Sequence, residues 1–203
     1  MYVVLVTGGI GSGKKTVCEY LGKKGATVLD LDGIAKEEQE NPLVLEQIKD
    51  EFGDDLVDAD GILNRLLLAD RAFFSADAAA KLNAICWPPV MERAQSYILD
   101  SGCQSLRRHD LLVIEIPLLA EAPALLDLKN EVICVTAPEN LRFERAVARG
   151  MRPHDVQNRM ELQVSDEERI AISDTVIDNS GTLAALYEQL DAWYAHFSEA
   201  SLF

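Results

Sequence analysis

Residues 8–14 read Gly-Gly-Ile-Gly-Ser-Gly-Lys and follow directly on the apolar run Tyr2–Thr7. Gly8, Gly13 and Lys14 complete the spacing G-x-x-x-x-G-K, with Gly9, Gly11 and Ser12 between them. Glycines at this spacing let backbone N–H groups turn inward and cradle a di- or triphosphate. A helix starting at the lysine points its positive end at the same anion. Lys14 is then placed to reach the β/γ oxygens, and strand, loop and helix in this order make the pattern specific. The next residue in such a loop is ordinarily a Ser or Thr whose hydroxyl ligates Mg2+. Here it is Lys15, and the hydroxyl of Thr16 lies one residue further on.

Three further groups of charged residues could act on a phosphate. Asp30 and Asp32 close the run Val28–Leu31 as Asp-Leu-Asp. Strand alternation puts both carboxylates on one side, toward the loop, where one could accept a proton from an attacking hydroxyl or hold a hydrated Mg2+. The plainer reading is capping of a helix over 33–38. Arg142, Arg145, Arg149 and Arg152 recur at i, i+3, i+7 and i+10, near one face of a helix, and Arg159 lies on a second helix beyond Pro153. Guanidinium forks suit a transferring phosphate. We expect Arg145, Arg149 and Arg159 to serve that purpose. Arg142 and Arg152 are expected on a solvated face, paired with Glu139, Glu144 and Asp155. Glu115 ends a third apolar run, where it could hold Mg2+ through water or remain a surface carboxylate.

These groups need a scaffold. Tyr2–Val6, Val28–Leu31, Leu111–Ile116, Val132–Thr136 and the weaker Thr175–Ile177 are short, apolar and rich in β-branched residues. They lack strict alternation, which predicts parallel strands covered on both faces. Helical segments are predicted over 16–23, 42–52, 78–99, 139–149 and 183–197. Strand–helix alternation reads as an open α/β sheet. Roughly 80 residues separate the second strand from the third, too many for one crossover. A helical insertion is expected there, and a second helical excursion before Thr175. Trp193, with Tyr187, Leu190 and Tyr194, is expected to pack a C-terminal helix on the sheet.

Composition narrows the function classes. The chain has 203 residues and a net charge of −15, from 19 Lys+Arg against 34 Asp+Glu. Nucleic-acid backbones and anionic membranes reward clustered cations, so neither is an expected partner; an anionic ligand must be held by a local basic cluster. Apolar residues make up 48%, enough for a sizeable core. Cys18, Cys86, Cys103 and Cys134 show no C-x-x-C spacing and read as reduced thiols. Met1–Val6 has no basic leader, which predicts a cytoplasmic protein without a secretory signal. The longest apolar run, 111–120, is interrupted by Glu115 and Pro117 and is too short to span a bilayer.

With these residues in view, the sequence resembles the dephospho-CoA kinase family over nearly its whole length. The resemblance is carried by Thr7–Lys14, by Val28-Leu-Asp-Leu-Asp-Gly-Ile-Ala35 and by Asp60-Gly-Ile-Leu-Asn-Arg65 with Phe73. It continues through Leu82-Asn-Ala-Ile85 and Pro88, Ile116-Pro-Leu-Leu119 with Glu121, Arg145-x-x-x-Arg149, Arg159, Gln163 and Asp174-x-Val-Ile-Asp-Asn-Ser-Gly181.

The resemblance implies an α/β P-loop kinase core with a five-stranded parallel sheet, a helical CoA-binding insert and a helical lid. The boundaries it suggests are 1–60, 111–140 and 171–203 for the core, 61–110 for the insert and 141–170 for the lid. It implies transfer of the γ-phosphoryl of ATP, with Mg2+, to the ribose 3′-hydroxyl of dephospho-CoA, by a monomer or weak homo-oligomer. Gly9, Gly11, Ser12, Gly13, Lys14, Lys15 and Thr16, with Arg145, Arg149, Asn179 and Gly181, would hold ATP. Asp32 would be the base, and Lys36, Arg65, Leu82, Trp87, Pro117 and Leu118 would line the acceptor region. Four positions depart from the family pattern: Lys15 for Ser, Lys36 for Arg, Ala69 for Arg and Trp87 for His. They leave open a nucleotide-binding paralogue with little turnover, or a kinase with another nucleoside or nucleotide acceptor.

Overall fold

The computed structural model describes residues 1–104, 110–116 and 123–200. Pro117 and Leu118, expected near the acceptor, lie outside them. Two compact units divide the chain, one formed by Met1–Asp30 with Gln95–Phe203 and the other by Leu31–Ala94.

The first unit is built on a five-stranded sheet. Strand β1 (Tyr2–Thr7) leads through the glycine loop into helix α1 (Lys14–Lys23), and β2 (Thr27–Asp30) returns to the sheet. After the second unit come β3 (Leu111–Glu115) and β4 (Glu131–Thr136). The order is β2-β3-β1-β4-β5, and every pairing is parallel. The glycine loop therefore leaves the carboxyl end of the central strand, where crossovers diverge to both sides and ligands of open α/β sheets bind. Val4, for example, faces Val113 on one side and Glu131 on the other.

The three inner strands are buried along nearly their whole length, as continuous apolar runs predict. The two edge strands are not. In β2 only Leu29 is even half-buried, and Val176 of β5 (Thr175–Asp178) is exposed. The expectation of two covered faces fails there because apolar composition alone does not tell an edge strand from an inner one.

One core cluster gathers Val4, Val6, Val17, Cys18, Leu21, Val113, Ile133 and Ile177 with Leu186, Leu190, Trp193 and Phe197. The last four belong to α10 (Leu183–Ala200), which packs on the sheet as its aromatic spacing suggests. Glu131 anchors this end of the sheet. Its carboxylate accepts hydrogen bonds from Trp193 Nε1 (2.7 Å), Thr175 Oγ1 (2.6 Å) and Tyr2 Oη (3.2 Å).

The second unit holds α2 (Leu31–Glu38), α3 (Pro42–Phe52), α4 (Arg65–Ala72) and the first part of α5 (Ala76–Gln104). Asn41 caps α3 by accepting from the Leu43 N–H at 3.1 Å, with Pro42 at the first helical position. Val44, Ile48, Leu56, Leu63, Leu68, Ala72, Leu82 and Cys86 form its separate core. Because α3 supplies Val44 and Ile48 to this core, the compact unit begins at Leu31 rather than at residue 61. Pro88 and Pro89 sit inside α5, where each removes a backbone donor.

Three short helices complete the first unit before β5. They are α7 (Glu139–Ala148), α8 (Pro153–Leu162) and α9 (Asp166–Ala171); α6 (Pro123–Leu126) precedes β4. Because α7 stops at Ala148, the four arginines expected along one helix face are split. Arg142 and Arg145 lie on α7, Arg149 follows its end, and Arg152 precedes α8.

Candidate active site

The glycine loop closes on itself. Ser12 N–H donates to Gly9 O (3.1 Å), and Val17 N–H to Gly13 O (3.2 Å). Gly11 and Gly13 have φ of +78° and +105°, a region that disfavours side chains. A Cβ at Gly11 would strike the Arg142 backbone, and one at Gly13 the Asn179 amide. Lys14 Nζ donates to Gly8 O (2.9 Å) and Gly9 O (3.4 Å), so its ammonium sits at the loop's own carbonyls.

On one side of the loop, Gly11, Thr16, Arg145, Arg149, Asn179 and Gly181 line a cavity of about 340 Å3. The structure thus brings six of the candidate residues, spread over the sequence, to one cavity. Asn179 also has a role that the resemblance did not imply. Its buried Nδ2 donates to Ser12 O at 2.7 Å and ties the turn after β5 to the loop.

Among the described residues, Thr7 Oγ1, Ser12 Oγ and Arg145 Nη1 are buried without a hydrogen-bond partner. Buried polar atoms are ordinarily satisfied. Two hydroxyls at the loop and a guanidinium N–H from the cavity wall fit a nucleoside polyphosphate such as ATP.

Against Gly9 stands a brace that the charge pattern did not reveal. Arg142, expected in solvent, has a side chain only 12% exposed. It donates from Nε to Ala137 O (3.0 Å) and reaches Asp166 Oδ2 at 3.4 Å. Arg169 is 2% exposed and donates to Asp166 Oδ1 at 3.0 Å. Burial pulls its guanidinium below the usual range, and the neighbouring Asp166 carboxylate opposes this. Gln163 completes the brace: its Oε1 accepts from the Ile10 N–H at 2.9 Å and from Arg169 Nη2 at 3.5 Å. Both guanidinium groups lie where a side chain at Gly9 would project.

The sequence did carry a signal for this brace. Ser165-x-x-Glu168 is a capping box, with both reciprocal bonds formed (3.2 and 2.9 Å). It starts α9 at Asp166 and so puts Asp166 and Arg169 one turn apart. Beneath the brace, burial pushes the Cys134 thiol up to about 11, with the Asp166 charge adding to the effect. The thiol is therefore uncharged near neutrality.

Asp166→Ala leaves Arg169 buried without its carboxylate. The expected cost is about 2 kcal/mol, or a fall in melting temperature of about 4–8 °C for a chain of this size. Calorimetry checks this, and an unchanged melting temperature would contradict the brace.

The remaining candidates lie elsewhere. Arg152 pairs with Asp155 (2.6 Å) as the solvated reading expected. Asp32 is in the first turn of α2. It is not at a strand end, so the alternation argument that pointed it toward the loop does not apply. Lys36 is exposed on the same helix. Arg65 is fixed within the second unit, donating to Gln39 Oε1 (2.6 Å), Lys36 O (2.8 Å) and Glu40 Oε1 (2.7 Å). Leu82 is buried in that unit's core, where it packs, and Trp87 is half-buried on α5. Glu115 ends β3.

Comparison with known proteins agrees with this architecture. Residues 2–185 match the family model described as dephospho-CoA kinase. The chain is 41% identical to the dephospho-CoA kinase of Corynebacterium diphtheriae over 184 residues, covering 90% of each chain. It is 39% identical to that of Thermobifida fusca over 201 residues, covering 98% of this chain and 96% of the relative. Among solved structures, dephospho-CoA kinase from Campylobacter jejuni superposes with a TM-score of 0.69 at 25% identity, covering 98% of both chains. A shikimate kinase from Acinetobacter baumannii shares the fold with a TM-score of 0.55 at 15% identity, covering 100% of this chain and 96% of its own.

Proposed function

As the chain belongs to the dephospho-CoA kinase family, we propose that it transfers the γ-phosphoryl group of ATP to the ribose 3′-hydroxyl of dephospho-CoA, giving CoA and ADP. The observation that carries this reading is the glycine loop with Lys14 at the end of the central strand, opening on a cavity walled by Arg145, Arg149 and Asn179.

ATP, when bound, supplies the phosphoryl group. The loop N–H groups and Lys14 hold its phosphate oxygens, and in doing so Lys14 exchanges the Gly8 and Gly9 carbonyls for charged acceptors. Arg145 donates the N–H that is buried without a partner among the described residues, and Arg149 adds a second guanidinium beside it. Asn179 keeps the loop in register through Ser12, and Gly181 leaves room at the cavity wall. Asp32 takes the proton of the 3′-hydroxyl as its oxygen bonds to the γ-phosphorus and the bond to ADP breaks. That role rests on the family resemblance of the segment 28–35. Lys36 and Trp87 are assigned to the acceptor on the same ground. Arg65 acts through α2, whose last turn and the residues just beyond it hold it.

The loop does not offer Mg2+ a hydroxyl beside Lys14, so an ion accompanying ATP would be held through water by Thr16, Asp32 or Glu115. The same reading includes a cytoplasmic setting and a monomer or weak homo-oligomer. The setting is supported by three free buried thiols among the described residues.

The test is ADP release from ATP with dephospho-CoA, adenosine, AMP or no acceptor. Stimulation by dephospho-CoA above all the others is the expected result. Stimulation by another acceptor would redirect the reading to that substrate, and nucleotide binding without turnover would make the chain a binding protein.

A further inference from the structure

In a loop of this kind the residue after the lysine supplies the hydroxyl that holds Mg2+. In this chain Lys15 stands there, and an ammonium has no lone pair to give a metal. The nearby carboxylates are Glu115, level with the end of β1, and Asp30 beside it, and neither belongs to the loop. Thr16 lines the cavity with Arg145 and Asn179. No group of three or more His, Cys, Asp or Glu among the described residues could hold an ion.

What the loop does offer is charge. Lys15 is exposed in the first turn of α1, directly after Lys14. That turn holds no acidic residue, and Lys15 pairs with no carboxylate among the described residues. Two successive lysines therefore open the helix whose positive end faces the proposed polyphosphate. A hydroxyl ligand brings no charge of its own and relies on the ion it holds. An ammonium brings a full charge and repels that ion.

We propose that Lys15 replaces the charge of the loop-held Mg2+, so that this site binds nucleoside di- and triphosphates as their metal-free anions about as well as in the presence of Mg2+. The proposal rests on the reading of the loop as the ATP site.

Titration calorimetry with ATP and with ADP, in Mg2+ and in EDTA, tests it without reference to turnover. The native protein is expected to change its Kd by less than about threefold between the two conditions. Lys15→Ser, which restores the hydroxyl, is expected to lose about tenfold or more in EDTA, a difference of about 1.4 kcal/mol. Lys15→Met keeps the stem without the charge and is expected to bind about tenfold more weakly than native in EDTA. Lys15 is exposed, so neither variant disturbs a core. A native protein that loses as much affinity in EDTA as Lys15→Ser would overturn the proposal and leave the ATP site intact. Absence of ATP and ADP binding in both conditions would overturn the site reading itself.

Discussion

Replacing Lys14 with Met is expected to lower acceptor-dependent ADP formation by about a thousandfold while the protein stays folded. Phosphoryl transfer leaves little covalent work to the protein, so positioning and charge carry the rate. Removing one preorganised donor from developing negative charge typically costs a hundred- to a thousandfold, and Lys14 contributes a full charge as well. Met keeps the length of the stem. It gives up the bonds from Nζ to Gly8 O and Gly9 O, each worth about 1 kcal/mol net. The melting temperature should therefore fall by at most about 4–8 °C while the rate collapses. Steady-state kinetics beside a melting curve separates the two effects. A rate within tenfold of native would remove Lys14 from the reaction.

Asp32→Asn is expected to cut transfer by about a hundred- to ten-thousandfold, the range for a positioned general base, and to leave ATP affinity within about twofold. Asn keeps the shape but does not accept the proton. Asp32 also lies in the first turn of α2, where a carboxylate favours the helix dipole by about 0.3–1 kcal/mol. A residue that served only the helix would show the opposite pattern, with a slightly lower melting temperature and near-native turnover. Single-turnover kinetics together with ATP titration tells these apart. Equal loss of transfer and of ATP affinity would also contradict the proposed base.

Much of this fold is legible in the sequence because its signals are local. Apolar β-branched runs mark all five strands to within a residue or two. The loop glycines mark the turn into α1, and Asn41-Pro42 marks the start of α3. The cavity beside the loop is legible for a different reason: Gly11, Arg145, Arg149, Asn179 and Gly181 carry the resemblance, which stands in for tertiary structure.

What escaped depends on burial, which residue type does not report. Arg142 and Arg169 look like surface cations until Asp166 is seen between them. The bonds that hold Arg65 to Gln39 and Glu40 are likewise not announced by its residue type. Strand alternation points Asp32 toward the loop, but the strand ends at Asp30 and the helix begins at once. Leu82 matched a family motif, and its place proved to be a core. The edge strands were misjudged because parallel sheets are buried only where both neighbours exist.

The reaction proposed for this chain makes CoA from dephospho-CoA with ATP as donor. The most direct measurement is phosphorus NMR of the purified protein with ATP and dephospho-CoA, followed over time. The expected result is a new phosphomonoester on the ribose 3′ oxygen, appearing in equal amount with ADP. A phosphomonoester at any other position, or ADP accompanied only by inorganic phosphate, would contradict the account.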